Sequence, residues 1–266
     1  MKKLLLSVDL DDLWCSWPNN NYSFLASSIE YMLEVFDNYK IKATLFCVAK
    51  DKEILKEYIP EFIKRGHEVA NHSYSHKYNK ELTFAEKKME IMMSDDILSE
   101  ISNSKILGYR SPGWGLDSEV SNILCNLDYK YEANLAISPL FIPMRYFHTI
   151  KYRKKTYIYG SSKENLGLVK NNNFTDISMD QVMLLPFYGS FHLYFPLGMN
   201  MFELQKKMIK NKNKINYIMH AFDFYKTNKF NSYPLTQSIN HFENLEKILA
   251  DISDQRSSTT YIDSLY

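Results

Sequence analysis

The chain has 266 residues, 45% of them hydrophobic, enough for one substantial core, and it holds no run of about 18 apolar residues that would read as a transmembrane helix. Its 32 basic and 31 acidic residues leave a formal net charge of +1; neither a basic stripe nor an acidic tail argues for nucleic acid or an anionic membrane surface, so a neutral or lightly charged substrate fits better. Cys15, Cys47 and Cys125 are odd in number and widely spaced, which excludes a disulfide framework and a cysteine-rich metal knot.

The start, Met1-Lys2-Lys3-Leu4-Leu5-Leu6, has the look of a signal peptide. Its apolar stretch ends at Asp9 with no small-residue cleavage site, so residues 3–9 are predicted as a buried strand and the protein as cytoplasmic. A loop at Trp14–Pro18 precedes helical spacing over residues 22–38, a strand over 43–48, and a helix over 52–64 that stops at Gly66. Next come a strand at 67–70, a long amphipathic helix over 85–102, a strand at 106–109, a helix over 118–127 and a strand at 129–133. Pro139, Pro143, Pro186 and Pro196, with the polar run Lys170–Asn173, break any simple period. A strand near 182–185, a helix at 201–210, a strand at 215–219 and a helix over 236–252 follow. Strand–helix alternation argues for parallel strands with helical crossovers, and the length suits a (β/α) barrel in one domain over residues 1–252, with 253–266 a loose polar tail.

Three carboxylates, Asp9, Asp11 and Asp12, cluster at the end of the first strand, the edge where parallel α/β folds build their sites. A polar turn would account for one or two of them. Three would repel one another without a cation or donors among them. His72-Ser73-Tyr74-Ser75-His76 sets two imidazoles within one turn, at the end of another short strand, with hydroxyls between them to orient the loop. Two imidazoles and a carboxylate form the ligand set of many hydrolytic zinc centres. Arg110, in Arg110-Ser111-Pro112-Gly113-Trp114, sits at a strand end where an arginine can orient a carboxylate. Backbone N–H groups of the Pro-Gly turn can face an oxyanion, and Trp114 offers an apolar plate for a sugar ring. His220 ends the last strong strand, on the side opposite the carboxylates, where a histidine could protonate a leaving amine. The stretch Phe187–His192 reads as core or rim, and Cys15 as an inert buried thiol.

Taken in order, the Asp-rich strand end, H-S-x-S-H, R-x-P-x-G and a late strand ending in histidine resemble the polysaccharide deacetylase family, of the NodB-homology, carbohydrate-esterase type. The resemblance spans Asp9 to His220 and implies a distorted (β/α) barrel that hydrolyses an N-acyl group on an amino sugar with a divalent metal, zinc first. It implies Asp9 as general base, Asp11, His72 and His76 as metal ligands, Arg110 as the partner of the base, Gly113 as oxyanion donor, His220 as general acid and Ile218 on the acyl pocket. Two departures matter: Leu10 separates Asp9 from Asp11, leaving Asp11 and Asp12 both open as the metal ligand, and Ala221 stands where an aspartate commonly follows the histidine. The expected substrate is an amino-sugar small molecule or glycolipid, a nucleotide- or lipid-linked intermediate of surface-glycan assembly, with no nucleic acid and no integral membrane segment. A deformylase of a formamido sugar lipid and a catalytically silent carbohydrate-binding relative are the alternatives.

Overall fold

The computed structural model describes residues 2–11, 23–135, 174–182, 185–195, 197–225 and 240–266. In chain order its elements are β1 (Lys2–Leu10), α1 (Ser23–Asn38), β2 (Thr44–Cys47), α2 (Lys52–Lys64), β3 (Glu68–Asn71), α3 (Phe84–Ser102), β4 (Gly108–Tyr109), α4 (Ser118–Asn126) and β5 (Tyr131–Leu135). They continue with β6 (Thr175–Ser178), β7 (Gln181–Val182), β8 (Leu185–Pro186), α5 (Gly189–Tyr194), α6 (Gly198–Ile209), β9 (Lys214–His220), α7 (His241–Ser253) and β10 (Arg256–Thr259). They group into two compact units, one of Met1–Leu45, Glu53–Glu68 and Phe187–Tyr266, the other of Phe46–Lys52 and Val69–Pro186.

In the first unit β1 is buried from Leu4 to Leu10, the continuous apolar run expected of a parallel strand covered on both faces. It pairs in parallel with β9, Lys3 opposite Lys214 through Asp9 opposite His220, and with β10, Lys2 opposite Arg256 through Leu5 opposite Thr259. α1 buries Ile29, Met32, Leu33 and Phe36 on one stripe, and the Phe36 ring meets Phe224 edge-on at 5.7 Å. The loose tail expected from Ser253 onward is instead β10 and a closing turn. Tyr261 is fully buried: its hydroxyl lies 3.0 Å from Ser7 and donates to Asn216 at 2.6 Å, and its N–H donates to the Thr44 hydroxyl at 2.8 Å. A polar strand of serine and threonine can be integral because parallel pairing draws on the backbone, and one buried tyrosine anchors the rest.

In the second unit β3, β4, β5 and β6 pair successively in parallel, with a register shift between Glu132 and Leu135. Only glycine fits at position 108, since a Cβ there would stand 2.0 Å from the Tyr131 ring. Helix α3 opens with a capping box in which Thr83 and Glu86 satisfy each other's backbone N–H groups. The strand expected near 182–185 is two dipeptide strands, β7 and β8, paired antiparallel. β6 and α5 were not legible as elements. The expectations for Asp12, Trp14–Pro18, Cys15, Pro139, Pro143, Lys170–Asn173, Pro196 and residues 236–239 fall outside the described residues.

Candidate active-site residues

In the first unit, β1 carries Asp9 into its last turn of pleat, with Asp11 just beyond the strand. Both are 2% exposed. Side chains alternate along extended backbone, so Leu10 is a spacer that puts the two carboxylates on the same side. His220, at the equivalent level of the adjacent strand β9, holds its Nε2 3.9 Å from Asp9 Oδ2. The expectation that this histidine faces the carboxylates from the opposite side is therefore corrected: the last strong strand pairs directly with the first, and a buried carboxylate and imidazole sit side by side.

The groups around His220 were missed in the sequence. Its Nδ1 lies 3.1 Å from the Ser190 hydroxyl, which in turn donates to Asp223 Oδ1 at 3.1 Å. The His220 backbone N–H donates to Asp223 Oδ2 at 2.9 Å, closing a capping box over the turn Ala221–Phe224. The ring stacks nearly parallel on Phe222, 4.9 Å between centroids. Burial pushes the Asp223 carboxyl up to about 6, against the lowering pull of His220 and Ser190. Gly189 leaves the room, since a Cβ would meet Asp223 Oδ2 at 3.1 Å and Met219 Cε at 3.0 Å. The legible signal was an Asp three residues after a strand-end His, and Gly-Ser opening a short helix. Ile218 is buried beside this group and bridges Tyr188 in parallel.

In the second unit His72 follows β3, its N–H donating to the Cys47 carbonyl at 2.9 Å. The turn to His76 is tight: Ser73 and His76 adopt φ 66° and 59°, left-handed conformations that are costly for side-chain-bearing residues. Local bonds hold them. Asn71 Oδ1 accepts from the Ser73 N–H at 2.8 Å, Ser73 Oγ accepts from the His76 N–H at 3.0 Å, and Glu90 takes both the N–H and hydroxyl of Ser75 at 2.7 and 2.5 Å. The two Nε2 atoms converge to 3.2 Å. His72 Nδ1 lies 2.8 Å from the Arg110 carbonyl, an acceptor that fixes the proton on Nδ1 and leaves Nε2 its lone pair. Two nitrogens each about 2.0–2.1 Å from a tetrahedral ion stand roughly 3.3 Å apart, so the pair fits a metal. His72 and His76, both buried, offer two ring nitrogens suited to a divalent ion, and Asp11, buried in the first unit, carries a carboxylate.

Arg110 is fully buried, its Nε donating to the Ala133 carbonyl at 3.2 Å and its guanidinium 4.0 Å above the Phe46 ring. The following turn is braced from β5: the Ser111 N–H donates to Asn134 Oδ1 at 2.6 Å, and Asn134 Nδ2 donates to Glu132 at 2.7 Å. Gly113 takes φ 64°, a conformation glycine adopts at no steric cost. Trp114 corrects one expectation. It is 4% exposed and so offers no open plate to a sugar, and its backbone N–H donates to the Ser111 carbonyl at 3.0 Å.

The polysaccharide deacetylase family model matches residues 7–132, the segment holding Asp9, Asp11, His72, His76, Arg110 and Gly113 and ending short of His220. A peptidoglycan deacetylase of Helicobacter pylori is 25% identical over 107 residues, 40% of this chain and 36% of that protein, so the match spans about a third of the curated relative. Across 99% of this chain and 88% of the other, the fold matches a Mycobacterium smegmatis protein provisionally assigned as a polysaccharide deacetylase, with TM-score 0.65 and 12% identity. A Bacillus anthracis pseudoenzyme of carbohydrate esterase family 4 matches over 100% of this chain and 66% of that one, with TM-score 0.54 and 13% identity. These likenesses establish the distorted (β/α)-barrel fold of the deacetylases for this chain.

Proposed function

We propose that this chain, whose residues 7–132 match the polysaccharide deacetylase family, is a metal-dependent amidohydrolase that removes an N-acyl group, acetyl first, from an amino sugar. One observation carries the reading: the His72 and His76 Nε2 atoms converge at 3.2 Å, with the far nitrogen of His72 on a backbone carbonyl. Asp11 is assigned as the third ligand and zinc as the ion. When bound, the ion polarises the acyl carbonyl and lowers the pKa of water at the site.

The chain's own groups supply the proton transfers. Asp9 takes the proton of the attacking water, and His220 delivers one from Nε2 to the departing nitrogen, which leaves poorly as an anion. Arg110, buried and bonded to the Ala133 carbonyl, is assigned the role of orienting the base. The Gly113 N–H is assigned to the developing oxyanion, in a turn whose geometry is set before substrate arrives. Ile218 lines the acyl group. Asp223, through Ser190, keeps His220 oriented. The proposed substrate is a nucleotide- or lipid-linked amino sugar of surface-glycan assembly in the cytoplasm; an N-formyl sugar lipid is the near variant. Among the described residues no helix is long and apolar enough to cross a membrane.

A second reading, a catalytically silent carbohydrate-binding relative, is favoured by the fold likeness to the pseudoenzyme. Purified protein incubated with N-acetyl and N-formyl amino sugars, free, nucleotide-linked and lipid-linked, separates the two by mass spectrometry. Acyl release that stops with a chelator and returns with zinc is the expected result. Full metal content, sugar binding and no release across the panel would establish the silent reading.

A further inference from the structure

The near-neutral charge of the whole chain conceals a local excess. Residues 197–214 hold five lysines, Lys206, Lys207, Lys210, Lys212 and Lys214, against the single acid Glu203. That is a net +4 in a chain of net +1, which leaves −3 for everything else. Helix α6 occupies most of this segment. Its inner side is held by buried Gly198, Phe202, Gln205 and Ile209. Its two bonded charges are accounted for, Lys206 with Asp251 at 2.6 Å and Glu203 with Lys247.

Next to that inner side runs a second apolar stripe. Leu197, Met201, Leu204 and Met208 follow at helical spacing, and three of them are well exposed: Leu197 72%, Leu204 43% and Met208 53%. Phe195, at the elbow before the helix, is 40% exposed. The elbow is built tightly. The Gly198 N–H donates to the Phe195 carbonyl at 2.9 Å, and a Cβ on Gly198 would lie 2.3 Å from the His192 carbonyl oxygen. Leu197 itself sits at φ 63°, where glycine or asparagine is the inexpensive choice. The fold thus holds a large apolar side chain outward in a conformation that costs energy. Lys207 and Lys210 are exposed on the flank of the stripe.

We propose that the α5–α6 elbow and the outer face of α6 dock on an anionic phospholipid bilayer, with Phe195, Leu197, Leu204 and Met208 entering the interface and the lysines facing lipid phosphates. An apolar stripe flanked by lysines is the composition of an interfacial helix, and clustered lysines are attracted to the negative surface of a membrane. A soluble polyanion would use the lysines but leaves the outward leucine and methionine without purpose. Docking is independent of the deacetylase reading, and would bring a lipid-linked substrate to the enzyme if that reading holds.

Sedimentation with phosphatidylcholine vesicles, with and without phosphatidylglycerol, tests the proposal on the full chain without any need for activity. The protein should pellet with the anionic vesicles alone and release as salt rises. Lys207→Glu with Lys210→Glu should weaken binding by roughly fivefold or more per lysine. Leu197→Asn changes no charge and suits the left-handed backbone, so it should fold normally and still bind more weakly; Met208→Ser is a second apolar variant outside the strained position. The proposal is overturned if the wild type ignores anionic vesicles at low salt, if both apolar variants bind as the wild type does, or if the protein prefers an RNA duplex to the vesicles.

Discussion

The Ser190 hydroxyl lies 3.1 Å from His220 Nδ1 and 3.1 Å from Asp223 Oδ1. A hydroxyl has one proton to donate, and an ionised carboxylate can only accept. The consistent arrangement has Ser190 donating to Asp223 and accepting from an Nδ1–H on His220, which leaves Nε2, on the Asp9 side, free to take up the second proton that His220, as imidazolium, delivers to the leaving nitrogen. The serine so sets the tautomer, and the aspartate acts one bond removed.

The expected consequence is spectroscopic before it is kinetic. Ser190→Ala should let the imidazole move its proton to Nε2, read in nitrogen NMR of His220, while Ser190→Thr keeps the native tautomer. Turnover in Ser190→Ala should fall by about tenfold or more, part of the 10²–10⁴-fold that acid–base catalysis supplies, with KM and metal content little changed. An unchanged tautomer in the alanine variant would show that the serine does not set it.

Asp9 and His220 are register partners on adjacent strands, one assigned to take a proton and the other to give one. Asp9→Asn should retain the metal and lose about 10²–10⁴-fold in turnover. Loss of the metal together with activity would make Asp9 a ligand and reverse its assignment. His220→Ala should also spare the metal, and its effect should be smaller on an ester analogue, whose leaving group needs less protonation.

His72→Ala and His76→Ala should each lower zinc content after purification without chelator, since each removes one of two nitrogens that converge at 3.2 Å. Elemental analysis reads this without reference to any substrate. Full occupancy in the double variant would remove the site.

Residues whose role is local were the legible ones. A parallel strand with both faces covered must be a continuous apolar run, which is why β1 could be read to within a residue of its ends, and Gly66, at φ 79°, marks the end of its helix by chemistry that acts over a turn. Asp9, Asp11, His72 and His76 stood out because charged and ligating groups at strand ends have few other reasons to be there. Ser190 and Asp223 did not, since they meet only when α5 is laid beside β9, a contact that no spacing records. β10 was hidden for a different reason: its stability lies in backbone pairing with β1 and in Tyr261, and its serines carry no apolar signal.

Tyr261 accordingly turns an apparent tail into structure. Tyr261→Phe removes a hydroxyl shared by Ser7 and Asn216, and leaving those buried groups short of a partner should cost about 1–3 kcal/mol, read as a lower urea midpoint at unchanged slope. Truncation after Ile252 should be far more damaging, because β1 loses a paired neighbour along Lys2–Leu5.

Glu132 gives the fold a pH dependence of defined sign. It is 4% exposed, and burial, with Asp176 adding repulsion, raises its carboxyl from 4.5 to about 7 against the pull of Ser121 and Asn134. The folded protein therefore holds this proton more tightly than the unfolded chain, and stability falls as pH rises from about 4.5 to about 7. The full penalty, on the order of 3 kcal/mol, is present above that window and absent below it. Glu132→Gln should remove the slope, because an amide can accept from Asn134 Nδ2 with its oxygen and donate to the Ser121 hydroxyl with its nitrogen. Urea unfolding at pH 5 and pH 8 decides the matter: the wild type should lose stability between the two relative to Glu132→Gln, and parallel behaviour of both proteins would place the titration elsewhere.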